Sequence, residues 1–124
     1  MNVIDASAWI EFFKDGPNAA AFQAPILDQA NLLVPATVLY EVFQYTIRHG
    51  SEQQAMLTIA AMRQGRVIDI DAALALSAAG LSRQHNLPMA DSLVLAVARR
   101  YEATLWTQDA DLKNLEGVRY FGKA

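Results

Sequence analysis

Acidic side chains stand at points in this sequence where an apolar run ends or a helical pattern begins. Asp5 ends the first apolar run and is followed by Ser7. Asp91 comes three residues after Pro88, and Asp109 follows the apolar stretch "LW" closely. Each acid taken singly is explained by helix capping, or by the positive end of a helix dipole, which favours a carboxylate in the first turn.

Glu41 and Asp91 are less well explained by these local effects. If Thr37 caps its helix, a capping box needs Glu or Gln at position 40, which is Tyr40. Glu41 then lies at the border of an apolar stripe of the helix. The alternative to a functional role is that its side chain is simply exposed to solvent at the edge of that stripe. Asp91 begins a helix that is almost entirely apolar, with no Lys or Arg within one turn. An unpaired buried charge is costly, and a metal ion would neutralise it.

Several carboxylates packed within about 4–6 Å of one another raise each other's pKa and oppose folding unless a cation neutralises them. Hard oxygen ligands suit Mg²⁺ or Mn²⁺. A shared metal site therefore accounts for the acids together, whereas capping accounts for them one at a time.

The elements that position these acids alternate between short apolar runs and longer helical ones. The pattern predicts strands at 2–5, 31–34, 67–70, 104–107 and 118–121. It predicts helices at 7–14, 18–29, 37–49, 52–64, 72–85 and 89–101, and a short acidic turn or helix at 109–115. Strands separated by helices imply βαβ units, and continuous apolar runs are typical of parallel strands covered on both faces. We predict a three-layer α/β/α sandwich with a five-stranded, mainly parallel sheet.

In sheets of this kind, sites form at the carboxyl ends of strands near the topological switch point. The first strand is predicted to lie at the centre of the sheet, with Asp5 at its carboxyl end. The fourth strand is predicted to lie beside it, which would place Thr107 and Asp109 next to Asp5.

Length and composition set the broad class of protein. The 124 residues, 53% of them hydrophobic, predict one domain over 1–124 with ample core. The absence of Cys excludes disulfides and thiolate metal sites. No secretory signal or membrane-spanning apolar run is visible, so a soluble cytoplasmic protein is expected. The net charge of −3 argues only weakly against nucleic-acid binding, because a carboxylate site lowers the charge by itself.

Four segments of the chain together resemble the acidic motifs of PIN-domain proteins, in order and in spacing. They are "VIDASAWIEFF", "VPATVLYEVFQ", "LPMADSLVLAVA" and "LWTQDADL". The closest group is the VapC-type toxin ribonucleases of type II toxin–antitoxin systems, and the resemblance covers essentially the whole chain. The four acids of the family fall on Asp5, Glu41, Asp91 and Asp109.

The remaining motif positions also have counterparts in this chain. The hydroxyl that accompanies the first acid falls on Ser7, and the Thr of the fourth motif falls on Thr107. Asp111 matches a second, more often surface-exposed Asp of that motif and ranks lower. Leu112 stands where the motif often has Phe, which we interpret as a conservative packing change.

The resemblance implies a Mg²⁺-dependent endoribonuclease, with Mn²⁺ as a substitute ion. Asp5 and Asp91 are then expected to hold the principal ion, with Asp109 close by or acting through water. Glu41 would orient the attacking water or complete a second metal position. Ser7 and Thr107 would either hold the carboxylates in place or simply cap the turns.

The resemblance also implies partners: an RNA substrate, a homodimer and a cognate antitoxin that covers the acidic pocket. RNA contacts need cations outside that pocket, and the candidates are Lys14, Arg48, Arg83, Arg99, Arg100 and Lys113.

Two other interpretations remain open at this stage. A receiver-type phosphoacceptor domain also gathers acids around Mg²⁺, and Asp69 and Asp71 are available after the third strand. That interpretation leaves Glu41 and Asp91 unexplained, and "VIDAS" has one acid where such domains have a pair. A PIN-like fold used only for RNA binding is the second alternative. A phosphatase with an aspartyl nucleophile is set aside, because Ser7 stands where its second Asp is needed.

Overall fold

The computed structural model describes residues 1–123. The strands are β1 (Asn2–Ile4), β2 (Leu32–Pro35), β3 (Arg66–Ile68), β4 (Thr104–Thr107) and β5 (Val118–Tyr120). The helices are α1 (Ala6–Phe13), α2 (Ala19–Leu27), α3 (Ala36–His49), α4 (Glu52–Met62), α5 (Ala72–His85) and α6 (Met89–Arg100). Short 3₁₀ turns cover Gln29–Asn31 and Ala110–Leu112. The predicted order of elements is confirmed.

Two local predictions are wrong at element boundaries. β1 ends at Ile4, and Asp5 is instead the N-cap of α1, although its N–H still donates to the carbonyl oxygen of Trp106 at 3.1 Å. Thr37 does not cap α3, because the helix begins one residue earlier, after Pro35. Proline fixes its own φ and ends the strand, so the helix starts directly behind it.

The five strands form one sheet in the order β3-β2-β1-β4-β5, and every neighbouring pair is parallel. The prediction of a mainly parallel sheet with a central first strand is therefore confirmed. The crossovers from β1 to β2 and from β2 to β3 run in one direction and contain α1 to α4. The crossover from β3 to β4 returns through α5 and α6. Right-handed crossovers place these two sets of helices on opposite faces of the sheet, which gives the three layers.

The core lies between the sheet and both helical layers. Apolar strand residues such as Val3, Leu33 and Leu105 are fully buried. Trp9 packs from α1 and Leu95 packs from α6, where five consecutive residues, 94–98, are buried. Burial of whole strands on both sides explains why their sequences do not alternate between polar and apolar. None of the helices in residues 1–123 has the length and apolar character needed to cross a membrane.

The strand order sets the position of the site. The chain leaves β1 in one direction and enters β4 from the other, so the carboxyl ends of β1 and β4 flank a crevice. Asp5 and Thr107 stand at these two ends.

Candidate metal centre

Asp5 is held rigidly between β1 and β4. One carboxylate oxygen, Oδ1, accepts hydrogen bonds from Ser7 Oγ at 2.7 Å and from the Ala8 N–H at 3.1 Å. The other, Oδ2, accepts a hydrogen bond from Thr107 Oγ1 at 2.6 Å. A carboxylate has about four lone-pair positions, so these three donors leave one position on Oδ2 for a further ligand.

The buried position of Asp5 changes its titration. The residue is only 5% exposed, and this burial raises the pKa of its carboxyl group. Hydrogen bonds from Thr107 and Ser7 act in the opposite direction, and the charge of Asp109 raises the pKa further. Asp5 and Asp109 therefore lie within each other's electrostatic field.

Asp91, Asp109 and Asp111 form a compact group at the neighbouring end of β4. Each offers one carboxylate oxygen, and these three oxygens lie within 4.8 Å of one another. Asp91 comes from the first turn of α6 and is 8% exposed. The backbone N–H of Asp109 donates to Thr107 Oγ1 at 2.8 Å, and the N–H of Asp111 donates to Asp109 Oδ1 at 2.9 Å. The hydroxyl of Thr107 therefore contacts both the Asp5 carboxylate and the backbone of Asp109.

Asp91 and Glu41 have strongly raised pKa values. Burial, followed by the negative charge of Asp109, raises the pKa of Asp91 from 3.8 to about 8. Burial, followed by the charges of Asp5 and Asp109, raises the pKa of Glu41 from 4.5 to about 7. Folding therefore brings these carboxyl groups together at an electrostatic cost.

Protein side chains do not supply the missing positive charge. Across residues 1–123 the salt bridge that forms joins Arg100 to Asp71, and none involves the acids of the site. The atoms available to bind a metal ion are thus carboxylate oxygens, which repel one another and have no cationic side chain as a partner. Such a set fits Mg²⁺ or Mn²⁺, which prefer hard oxygen ligands.

Of the four acids named from the sequence, the structure places Asp91 and Asp109 in the compact carboxylate group. Asp5 and Glu41 lie outside that group but near enough for their charges to act on its members or to be acted on by them. Asp111 is the third member of the group, although the sequence analysis ranked it lower. Asp111 is exposed, and only the 3₁₀ turn at Ala110–Leu112 places it beside Asp91. The only signal for Asp111 in the sequence is its match to a second Asp of the fourth motif, which is more often exposed at the surface.

Gln108 and Asn18 support the site although nothing in the sequence pattern singles them out. The backbone N–H of Gln108 donates to Ser7 Oγ at 3.1 Å. Asn18 Nδ2 donates to Gln108 Oε1 at 2.7 Å and to the Gly122 carbonyl oxygen at 2.9 Å. These bonds hold the segment that carries Asp109 against α1. Asn18 and Gln108 are 90 residues apart in sequence, so no local pattern links them.

The cations proposed from the sequence are dispersed. Arg99 and Arg100 lie at the end of α6 opposite Asp91. Arg100 pairs with Asp71 at 2.9 Å, and Arg99 Nη2 donates to the carbonyl oxygen of Glu116 at 3.3 Å. Lys113 Nζ lies over the Tyr120 ring, 5.5 Å from its centroid.

The receiver-type interpretation fails on topology. It requires the third strand to lie beside the first, but here β3 is an edge strand separated from β1 by β2. Asp71 caps α5 and binds Arg100 instead of joining Asp5.

Comparison with known families agrees with this geometry. A family profile of the PIN domain matches residues 3–118. The chain belongs to the PIN-domain family. A search of curated protein sequences gave no match.

PIN-domain structures from toxin–antitoxin systems share the fold along nearly the whole chain. A toxin–antitoxin complex from Klebsiella pneumoniae superposes with a TM-score of 0.82 at 20% identity, covering 98% of this chain and 99% of the other. VapC20 from Mycobacterium tuberculosis, a toxin that cleaves the sarcin–ricin loop, gives 0.73 at 18% identity, covering 90% and 92%. VapBC2 from Rickettsia felis, bound to a DNA fragment from its promoter, gives 0.75 at 13% identity, covering 97% and 98%. At these identities the likeness establishes the fold of this PIN-domain protein.

Proposed function

We propose that this PIN-domain protein is a Mg²⁺-dependent endoribonuclease that acts in the cytoplasm as the toxin of a toxin–antitoxin pair. One observation carries the proposal: acids from separate segments converge at the ends of β1 and β4 with raised pKa values and without a cationic partner. A site arranged in this way needs a bound cation to keep all its carboxylates ionised near neutral pH, and hydrolysis of an anionic phosphodiester is chemistry that such a cation assists.

Asp5, Asp91 and Asp109 would hold the ion, and Asp111 is close enough to Asp91 and Asp109 to share in binding it. When bound, a divalent ion lowers the pKa of water and stabilises negative charge that develops on the phosphoryl group. Thr107 and Ser7 act by fixing the orientation of the Asp5 carboxylate, so that its remaining lone pair is directed before the ion arrives.

Glu41 has a different role in this proposal. It is half-buried on α3, and its pKa of about 7 in the metal-free protein is close to neutral pH. Burial is the largest cause of this raised pKa and persists when an ion is bound, so Glu41 is suited to accept a proton from the attacking water. Glu41 therefore orients that water and receives its proton.

Known structures support the choice of RNA and of an antitoxin partner. VapC20 cleaves an RNA loop, and the Klebsiella pneumoniae and Rickettsia felis structures are toxin–antitoxin assemblies. All four acids that the family resemblance assigns to cleavage are present in this chain. We therefore favour a catalytic role over the alternative of a PIN-like domain that only binds RNA.

Two apolar surfaces of this chain are suited to bind protein partners. A groove of about 350 Å³ between α1, α3 and α4 is lined by Ile10, Phe13, Val42 and Leu57 among others, and would receive an antitoxin segment. Tyr40, Phe43 and Ile47 form an exposed stripe on α3, with Tyr40 64% exposed, which would pair two copies in a homodimer. Co-purification with the product of the adjacent upstream gene, and the mass in solution with and without it, test these partners.

The catalytic proposal is tested with purified protein and a structured RNA. Cleavage should require Mg²⁺ or Mn²⁺ and stop with EDTA. Asp5→Asn and Asp91→Asn should each reduce cleavage at least about 100-fold, since each removes a charged ligand. Asp69→Asn is the matched control, because Asp69 is exposed and follows the distant edge strand β3. Cleavage by both Asn variants at the parental rate would overturn the proposal.

A further inference from the structure

We propose that the cleft beside the acid cluster binds the flank of a single-stranded RNA, with Lys14 and Lys123 contacting its phosphates and Tyr45 stacking on a base. This inference rests on the proposed ribonuclease function and specifies how its substrate approaches the site.

The cleft is continuous with the candidate metal centre. It has a volume of about 510 Å³, and its lining includes Ser7, Glu41 and Gln108 from the site. Lys14 and Lys123 line the same cleft. An RNA whose scissile phosphate lies at the acids must continue along a surface adjacent to them, and this cleft is such a surface.

A second cleft extends the path past the site. It has a volume of about 430 Å³ and shares Ser7, Gln108 and Lys123 with the first, while Asp109 and Tyr120 complete its wall. Ser7 and Gln108 thus lie between Glu41 in one cleft and Asp109 in the other. Lys123 borders both clefts, so it is placed to contact phosphate on the strand as it passes the acids.

The two lysines have charge available for a ligand. Within residues 1–123 neither Lys14 nor Lys123 forms a salt bridge. Besides Glu41, the cleft wall contains Glu11, which is 6% exposed and accepts a hydrogen bond from the Asn18 N–H at 2.7 Å. Glu11 therefore anchors the turn that follows α1, and in the described part of the chain it forms no salt bridge with Lys14.

An anionic polymer needs such cations here because the surrounding acids repel it. Affinity for RNA comes largely from contacts between cations and phosphates. Arg99 and Arg100, two of the six cations named from the sequence, lie at the end of α6 opposite Asp91, whereas Lys14, another of the six, lines the cleft. Lys14 and Lys123 supply positive charge where the strand would pass.

Tyr45 adds a flat surface for a base. It lines the first cleft together with Glu41 and Lys14. Its ring stacks on His49 with centroids 4.2 Å apart, which restricts its rotation. Cationic grooves with aromatic platforms are the usual means of holding single-stranded nucleic acid.

The test is equilibrium binding of a short 5′-fluorescein single-stranded RNA, measured by anisotropy in EDTA so that cleavage does not occur. Lys14→Gln and Lys123→Gln should each weaken binding about three- to tenfold at low salt and reduce the slope of log Kd against log salt by about 0.7. Lys14→Arg and Lys123→Arg should retain binding. Tyr45→Leu should weaken binding about tenfold without changing the slope, whereas Tyr45→Phe should bind like the parent.

Arg63→Gln is the matched control for charge. It also removes one positive charge, but Arg63 lies between α4 and the start of the edge strand β3, whereas the site lies at the carboxyl ends of the internal strands β1 and β4. Its Kd and salt slope should equal those of the parent. In the presence of Mg²⁺, the lysine variants should raise KM more than they lower kcat. The contact between each lysine and an RNA phosphate is equally strong in the ground state and in the transition state, so its loss weakens substrate binding without slowing the chemical step.

The outcomes separate this inference from the proposed function. If the parent cleaves RNA and the lysine variants bind it with parental Kd and slope, the inference is overturned and the ribonuclease function stands. If the parent neither binds nor cleaves RNA, both fail. Lys14 also lines the groove proposed for the antitoxin, so loss of antitoxin binding is diagnostic only for Lys123→Gln. If that variant binds RNA normally but loses the antitoxin, the cleft is a protein-binding surface and the inference is overturned.

Discussion

The hydroxyl of Thr107 donates a 2.6 Å hydrogen bond to Asp5 Oδ2 and accepts one from the Asp109 N–H at 2.8 Å. A single side chain at the end of β4 therefore orients the acid at the end of β1 and fixes the turn that carries Asp109. Asp5 and Thr107 are 102 residues apart in sequence and meet only because β1 and β4 are neighbours.

Removing this hydroxyl should loosen the metal site. Thr107→Val keeps the shape of the side chain but leaves Asp5 Oδ2 and the Asp109 N–H without their shared partner. Loss of such an orienting bond should weaken Mn²⁺ binding about 10- to 100-fold, measured by calorimetry. Thr107→Ser keeps the hydroxyl and should bind Mn²⁺ nearly like the parent. Equal affinity in the Val variant would show that Thr107 only supports the fold.

Asp111 should contribute to ion binding although it is exposed. Asp111→Asn removes one carboxylate from the group with Asp91 and Asp109 but keeps the backbone N–H that donates to Asp109 Oδ1. The Mg²⁺ concentration for half-maximal RNA cleavage should therefore rise about tenfold, with little change in the melting temperature. Asp69→Asn is again the matched control. An unchanged Mg²⁺ requirement would place Asp111 outside the site.

The metal-free protein should lose stability as the pH rises. The pKa values of Asp91 and Glu41, about 8 and about 7, exceed those of the unfolded chain, so the folded state binds more protons between about pH 4 and pH 8. Unfolding free energy is then highest below the unfolded pKa and falls as the pH rises through the folded pKa. Melting temperatures in EDTA should drop from pH 5 to pH 8.

Two further measurements on the same protein identify the cause of this drop. Mg²⁺ should restore stability at pH 8, because a ligand that binds only the folded, ionised site stabilises it. Asp91→Asn should flatten the decrease in EDTA, while Asp69→Asn should leave it unchanged. A metal-free protein that is more stable at pH 8 than at pH 5 would contradict the repulsion among these acids.

Asn18 should support the site from a distance. Asn18→Ala removes the bonds to Gln108 Oε1 and to the Gly122 carbonyl oxygen. The unfolding free energy measured with urea should fall by about 1–3 kcal/mol, because Gln108 is buried and loses its partner. Cleavage by the Asn18 variant should also need more Mg²⁺, since the segment with Asp109 is less firmly held.

Asn31→Ala is the control for this substitution. Asn31 Nδ2 also donates two side-chain hydrogen bonds, but both go to the exposed Asp28 carboxylate. Its removal should change the unfolding free energy by less than about 0.5 kcal/mol. Equal effects of the two substitutions would contradict a specific role for Asn18.

Much of the fold could be predicted because its signals are local. The apolar strand centres, the turn residues between elements and the buried character of α6 are properties of consecutive residues. The boundaries were less predictable, since Pro35 moved the start of α3 and the capping role of Asp5 ended β1 one residue early. These shifts depend on backbone hydrogen bonds that sequence patterns do not specify.

Part of the site was also predictable, because acids at strand ends follow from the topology of a parallel sheet. The relative importance of Asp109 and Asp111 was not, since it depends on how one short turn faces α6. The choice among cations was not predictable either. Arg100 satisfies Asp71 from a different element, and Lys14 faces a cleft formed partly by distant residues.

The sequence by itself determined the alternation of strands and helices and singled out four acids, three of them (Asp5, Asp91 and Asp109) at the start of a helix or turn, because hydropathy and capping preferences act between near neighbours. Only the tertiary structure decided which groups meet: Thr107 with Asp5, Asn18 with Gln108, and Asp111 with Asp91. The physical reason is that hydrogen bonds, burial and repulsion between charges depend on distances of a few ångströms. Those distances arise from the packing of the whole sheet and its two helical layers.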